Sequence, residues 1–207
     1  MEAAMVAWVL FGLRLRKIPL RSLLGQASMK LSAVALDAGI ALLFWIGSLT
    51  VLGTLGLAWA VTHAAITHHP LIGLDGHAAA PDPSQQQAVR ALSQLAPSSA
   101  QELIAWALLC LLVGMAEELV FRGYLQRQLI AWSRGRVTAG IVLSALIFGG
   151  AHAYQGLRNM ILLAVFGALF SMLVLFRRGL RAAMFAHSWH DLISGFALAL
   201  LKAHHLI

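Results

Sequence analysis

The 207-residue chain has a single cysteine, Cys110, set inside an apolar run. That excludes a disulfide within the chain and a cysteine-rich zinc site. Charge is equally scarce: 11% of the residues are Asp, Glu, Lys or Arg, where a soluble domain carries about 25%. Proline is absent after Pro97, so the second half holds no residue that forces a helix to break. No repeat of fixed period is present. The chain also lacks the order of a secretory signal, because Arg14, Arg16 and Lys17 follow the first apolar stretch instead of preceding it. Residues 1–13 read instead as a short or truncated first helix, or as a segment lying in the membrane interface.

What the chain does have is apolar sequence. Hydrophobic residues make up 60% of it, much of that in long runs, which places it in the membrane class. A formal charge of +7 would suit a nucleic-acid partner. The cations, however, are dispersed between apolar runs and are not gathered on one soluble domain, so nucleic acid is excluded.

The run over about 31–62 is long enough to span a bilayer. It is interrupted by Asp37, which is suited to pairing with Lys30 or an arginine, and its Gly39, Gly47, Gly53 and Gly56 let neighbouring helices approach. Residues 68–99 hold Pro70, Pro81, Pro83 and Pro97 together with Asp75, Asp82 and the three glutamines from Gln85 to Gln87. This predicts an extramembrane loop. Val89, Leu92, Leu95 and Ala96 follow helical spacing within it, consistent with a short helix on the membrane surface. His63, His68, His69 and His77 cluster nearby. A metal site is one reading, but solvated loop histidines are the favoured one, since no carboxylate or cysteine stands at ligand spacing.

Further helices are expected at about 101–130, 137–154, 157–176 and 180–202. The fold class is therefore all-α: a polytopic membrane protein of about six transmembrane helices, four of which form a core carrying the site. Its regions are N-terminal membrane helices over 1–67, the extramembrane loop over 68–100 and a catalytic helical core over 101–207. Charge agrees with this alternation. Arg14, Arg16, Lys17, Arg21, Lys30, Arg122, Arg127, Arg134, Arg136, Arg177, Arg178 and Arg181 fall at one set of helix ends, and only Arg90, Arg158 and Lys202 at the other. The expectation is an integral protein of the plasma (inner) membrane, with its basic loops cytoplasmic and its proline-rich loop outside.

Polar residues inside such helices are costly and mark function by default. Glu117, Glu118 and Arg122 follow the uncharged run 103–115. Glu118 and Arg122 are four apart and can pair on one helix face. Glu117 is rotated about 100° away, from the helical repeat. Two readings follow: Glu117 is left free for chemistry, or both acids only pair arginines and lock helix packing. His152 ends an apolar helix after Phe148-Gly149-Gly150-Ala151, and His187 and Asp191 share a face four residues apart. Each histidine alone could simply bond a carbonyl across an interface. Their number, on three helices, points to a shared site. The depths agree only if the Glu117 helix continues through Arg122 and Arg127 to about residue 130, which brings Glu117 near the midplane.

Glu117–Arg122 (E-E-x-x-x-R), Phe148–His152 (F-x-x-x-H) and His187–Asp191 (H-x-x-x-D) resemble, in order, the three motifs of the CPBP intramembrane proteases. This family, also called the ABI family, includes the CAAX prenyl endopeptidases of the second type. The resemblance covers about 103–200, half of the chain. It implies an all-helical membrane core and hydrolysis of a peptide bond in or near the bilayer. Carried over by position, Glu117 and His152 hold and activate the attacking water. His187 and the residue at 191 stabilise the oxyanion or orient the site, and Glu118, Arg122 and Phe148 are structural or orienting. The same Glu117, His152, His187 and Asp191 could instead ligate zinc, so zinc stands as a candidate cofactor. One position departs from the pattern. Asp191 stands where an asparagine is common in the eukaryotic enzymes, and an ionised aspartate accepts hydrogen bonds without donating any. Asp191 must be protonated, orient His187 or bind a metal. His190 reads as packing or as a partner of the site residues.

The function expected is an intramembrane endopeptidase acting on a membrane-embedded or lipidated peptide. A catalytically silent scaffold that binds and sequesters a partner protein is the alternative. A proton-coupled transporter is the third reading, disfavoured by the absence of inverted repeats and proline-broken helices.

Overall fold

The computed structural model describes residues 2–25, 28–68, 86, 89, 90, 93, 94 and 96–204. The described residues form helices α1 (Glu2–Leu15), α2 (Arg21–Leu24), α3 (Leu31–Thr67) and α4 (Ala100–Glu117). A π-helix (Glu118–Leu125) then leads into α5 (Gln126–Trp132), followed by α6 (Val137–Ala151), α7 (Leu157–Arg177) and α8 (Arg181–Ala203). Among the described residues there is no strand, only an isolated antiparallel bridge between Gly25 and Gly179.

Three helices are long and apolar enough to cross a membrane: Leu31–Thr67, the continuous Ala100–Trp132 and Leu157–Arg177. Ala3–Leu15 and Val137–Ala151 are apolar but shorter. The 23-residue α8 carries His187, His190 and Asp191, which dilute its apolar character. The expected helix ends in the second half fall within a few residues of the observed ones, and the Glu117 helix does continue past Arg122 and Arg127. Part of the expected surface helix lies outside the described residues, including Leu92 and Leu95, as do His69, His77, Pro70, Pro81 and Pro83.

The ends have local causes. At the start of α4 the Ser99 hydroxyl accepts the Glu102 N–H at 3.2 Å, and the Glu102 carboxylate accepts the Ser98 N–H at 2.6 Å, a capping-box arrangement. Helix α1 stops in a Schellman turn: Ile18 N–H donates to the Leu13 carbonyl at 2.9 Å and Lys17 N–H to that of Arg14 at 3.1 Å, with Lys17 left-handed at φ 54°. Pro19 follows and prevents resumption.

Burial runs opposite to that of a soluble protein. Large apolar residues such as Leu43, Leu57, Ile104, Leu112, Leu146 and Phe176 are exposed, while Asp37, Glu117, Glu118, Arg122, Gln126 and His187 are buried. Hydrocarbon around the bundle removes the penalty on the exposed side chains, and interior polar groups then bind helix to helix. An apolar core of Leu119, Phe148, Phe166, Phe170, Ala183 and Ala186 joins the π-helix, α6, α7 and α8.

Two polar joints tie the N-terminal helices to the rest at one end of the bundle. Asp37 on α3 accepts Arg177 Nε and Nη2 at 2.9 and 2.6 Å on one oxygen, and Arg181 Nε at 2.6 Å on the other. Arg127 donates to the carbonyls of Ser22 and Leu23, and Leu180 N–H to that of Leu24 at 3.0 Å. Gly25 sits in this joint at φ 77°, where a Cβ would collide with the Arg178 carbonyl. Only glycine meets both demands.

Candidate functional site

The site is assembled on the run that changes helix type. Glu117 is the last α-helical residue and the π-helix begins at Glu118. Extended π segments are rare and concentrate at functional sites. Widening the turn removes the ordinary i−4 carbonyl partner: Gln126 N–H reaches the Phe121 carbonyl, five residues back. The Ser144 hydroxyl on α6 donates to that same carbonyl at 3.2 Å, fixing the widened turn against its neighbour.

Arg122 turns inward and is 1% exposed. Its Nη1 donates to Glu118 Oε1 at 2.8 Å and its Nη2 to the Gly167 carbonyl at 3.3 Å. Its guanidinium carbon lies 4.3, 5.4 and 5.9 Å from the ring centres of Phe148, Phe170 and Phe121. A buried carboxylate, a carbonyl and three aromatic faces together replace the water this cation has lost.

Glu118, fully buried, has a second partner on the same oxygen. His187 Nδ1 lies 2.8 Å from Oε1. A carboxylate accepts, so Nδ1 carries the proton and donates. This fixes the ring orientation and turns Nε2 towards Glu117 Oε2 and Asp191 Oδ2, each at 3.7 Å. Those separations are too long for direct hydrogen bonds. Glu117 Oε2 is buried with no hydrogen-bond partner, a costly state for an acid unless the reaction uses it.

His152 stands at the end of α6, with Nδ1 2.9 Å from the Phe148 carbonyl, to which it donates, leaving Nε2 free. Phe148 lies between the two imidazoles, its ring centre 4.8 Å from that of His152 and 6.2 Å from that of His187. His152 lies within electrostatic reach of Glu117 and Asp191 but makes no direct hydrogen bond to either. Glu117, Glu118, Arg122, Phe148, His187 and Asp191 therefore converge around one set of contacts, with His152 at its edge. His190 packs on Phe166, with ring centres 4.8 Å apart.

Close approach of α4 and α8 makes the convergence possible. A Cβ on Gly114 would fall within about 3 Å of Ser188, backbone nitrogen included, so only a glycine lets His187 and Asp191 reach Glu117.

Several participants are invisible in sequence. The Glu118–His187 bond joins residues 69 apart, and Glu118 already had a partner at helical spacing in Arg122. The Gly167 carbonyl, Ser144 and Phe170 carry no local signal. Tyr154 also lies near, its ring centre 6.1 Å from that of His152.

No group of three His, Cys, Asp or Glu side chains among the described residues is arranged to hold a metal ion. Zinc on Glu117, His152, His187 and Asp191 stands as an alternative to be tested by chelation and metal content.

Residues 99–193 match the family model described as Type II CAAX prenyl endopeptidase Rce1-like. No curated protein and no solved structure matches the chain. The matched segment contains all three motifs and every side chain of the cluster just described, and over that segment the chain is similar to the Rce1-like type II CAAX prenyl endopeptidases.

Proposed function

We propose that the protein is an intramembrane endopeptidase in which Glu117 is the general base. The substrate is a peptide embedded in or lipid-anchored to the bilayer, cut within or near the membrane. Supporting this reading is the buried, unpartnered Glu117 carboxylate oxygen facing an imidazole whose orientation another carboxylate fixes.

The chemistry follows from those atoms. A water beside Glu117 gives its proton to the carboxylate as its oxygen attacks the peptide carbonyl carbon. His152, through its free Nε2, holds that water. The carbonyl π electrons move to oxygen, and an oxyanion develops. For His187 to stabilise it, Nε2 must carry a proton, so the working form is an imidazolium held by Glu118 on one side and faced by Asp191 on the other. The C–N bond then breaks, and Glu117 returns its proton to the departing amine. Asp191, as an acceptor, serves by orienting the His187 ring and not by donating to the oxyanion.

About six spans, with Arg14 to Lys30, Arg127 to Arg136 and Arg177 to Arg181 on the cytoplasmic face, complete the reading. The charge distribution and the joints gathered at one bundle end support it.

The test is cleavage of a membrane-anchored peptide by the purified protein in detergent. Glu117→Gln should keep fold and peptide binding but lower turnover by about a thousandfold or more, since it removes both base and proton donor. Undiminished cleavage by this variant would overturn the mechanism. A parent that binds peptide and never cuts it would favour the scaffold.

A further inference from the structure

The twelve cations at the basic end differ in what holds them, and two sets of four stand apart. Arg122, Arg127, Arg177 and Arg181 are taken up by protein carboxylates or carbonyls. Arg14, Arg16, Lys17 and Arg21 are exposed, and no described side chain or carbonyl accepts from them. The sequence supplies no acid between Glu2 and Asp37 to neutralise them.

The apolar side chains between these cations are also turned outward. Leu15 is 67% exposed, Ile18 39% and Leu20 41%. The stretch is nevertheless not a loose tail. The Schellman turn at Lys17 closes it on one side, and Arg127 and Leu180 grip the carbonyls of α2 on the other. Lys17 occupies a left-handed position, φ 54°, that favours glycine. The fold thus holds a rigid reversal that presents cations and large apolar groups together.

We propose that this reversal is a binding surface for acidic phospholipids. Arg14, Arg16, Lys17 and Arg21 take headgroup phosphates, while Leu15, Ile18 and Leu20 enter the acyl boundary beneath them. A cationic surface with interleaved apolar side chains matches a bilayer interface, where phosphate lies directly above hydrocarbon. An acidic soluble peptide would pair with the cations but leave the apolar side chains wet. The surface lies outside the segment matched to the protease family, and it stands independently of the proteolytic reading.

The experiment is native mass spectrometry of the full chain in detergent, titrated with phosphatidylglycerol and phosphatidylcholine. The parent should retain phosphatidylglycerol at least about tenfold more tightly, the preference shrinking as salt rises. The variant Arg14→Gln/Arg16→Gln/Lys17→Gln/Arg21→Gln should lose that preference, while Arg134→Gln/Arg136→Gln, with two exposed cations removed elsewhere, should keep it. Should the fourfold variant fail to fold, Arg16→Gln/Lys17→Gln alone should lower the preference severalfold. No preference in the parent, retention of it in the fourfold variant, or equal loss in both variants would each overturn the proposal. So would capture of a poly-glutamate peptide in place of lipid, which would make the surface one for acidic peptides.

Discussion

Glu118 holds two donors on one oxygen, Arg122 Nη1 and His187 Nδ1, each at 2.8 Å. This gives it two separable duties. Leaving a buried arginine unpaired costs about 3–5 kcal/mol, so Glu118→Gln should sharply lower folded yield. Replacing Glu118 and Arg122 together by leucine removes the stranded charge and should recover most of that yield. It should not recover cleavage, because His187 Nδ1 still lacks its acceptor. Yield by size-exclusion chromatography and turnover on the same samples check this. Activity returning with yield would reduce Glu118 to a packing role.

Asp191 poses a different question at this scale. Its Oδ2 faces His187 Nε2 at 3.7 Å, and by the resemblance it stands where an asparagine is common in the eukaryotic enzymes. If its work is orientation, Asp191→Asn should keep turnover within about tenfold, because an amide oxygen can still accept from the ring and the amide nitrogen adds a donor for the oxyanion. Chelators should then leave the parent unchanged. Loss of activity in the variant together with chelator sensitivity of the parent would favour the zinc reading. The types and positions of these residues were legible in sequence, because an ionisable group in an apolar helix is conspicuous. Their pairing was only half legible: Arg122 lies at helical spacing from Glu118, whereas His187 arrives through tertiary packing that no periodicity encodes.

Elements were easier to read than their variations. Helix α4 begins at Ser99 with Glu102 three residues on, and α7 is bounded by Gly156 and a left-handed Arg178, so uninterrupted apolar sequence and local punctuation gave these ends. The π segment Glu118–Leu125 has no such marker. It persists because the Ser144 hydroxyl, the Gly167 carbonyl that accepts from Arg122, and His187 on α8 hold it, all contributed by distant sequence. The α4–α8 contact is the element on which the site depends most. Gly114→Ala would place a methyl within about 3 Å of the Ser188 backbone, and overpacking of this kind costs about 1–3 kcal/mol. The expected result is a lower melting temperature and a loss of turnover out of proportion to it, as His187 and Asp191 are pushed from Glu117. Ser188→Ala should not rescue the variant, since its hydroxyl is only one of the atoms in the way. A full rescue would show that the helices can shift without harm to the site.

At the scale of the molecule, the segment matched to the family does not stand alone. Asp37, on α3 and outside that segment, holds Arg177 and Arg181 at the two ends of the α7–α8 turn. Arg127 and Leu180 bind the carbonyls of α2 at the same bundle end. A boundary drawn near residue 100 by the proline-rich loop thus says little about packing, because the N-terminal helices close the basic end of the site-bearing half. The pairing of Asp37 with some arginine could be anticipated from the alternating charge pattern. Which arginines, and that one carboxylate binds two, could not.

The arrangement also bears on the proposed membrane topology. Arg127, Arg177 and Arg181 meet α2 and α3 at one end, while Lys202 donates to the Ala96 carbonyl at 3.1 Å, at the far ends of α8 and of the approach to α4. With α4 to α5 running as one helix from Ala100 to Trp132, long and apolar enough to cross a membrane, the expectation is that a residue just after Trp132 and one well before Ala100 label from opposite faces. Cysteines placed at Arg134 and at Pro81, in a chain whose own Cys110 is buried and replaced by alanine, should therefore react with an impermeant maleimide from opposite sides of sealed vesicles. The Arg134 position should label from the cytoplasmic side, where positive residues are retained during insertion. Labelling of both from one side would mean that Ala100–Trp132 enters and leaves by the same face. Glu117, at the middle of that helix, would then not reach the bilayer midplane, and the proposed intramembrane site would fail with it.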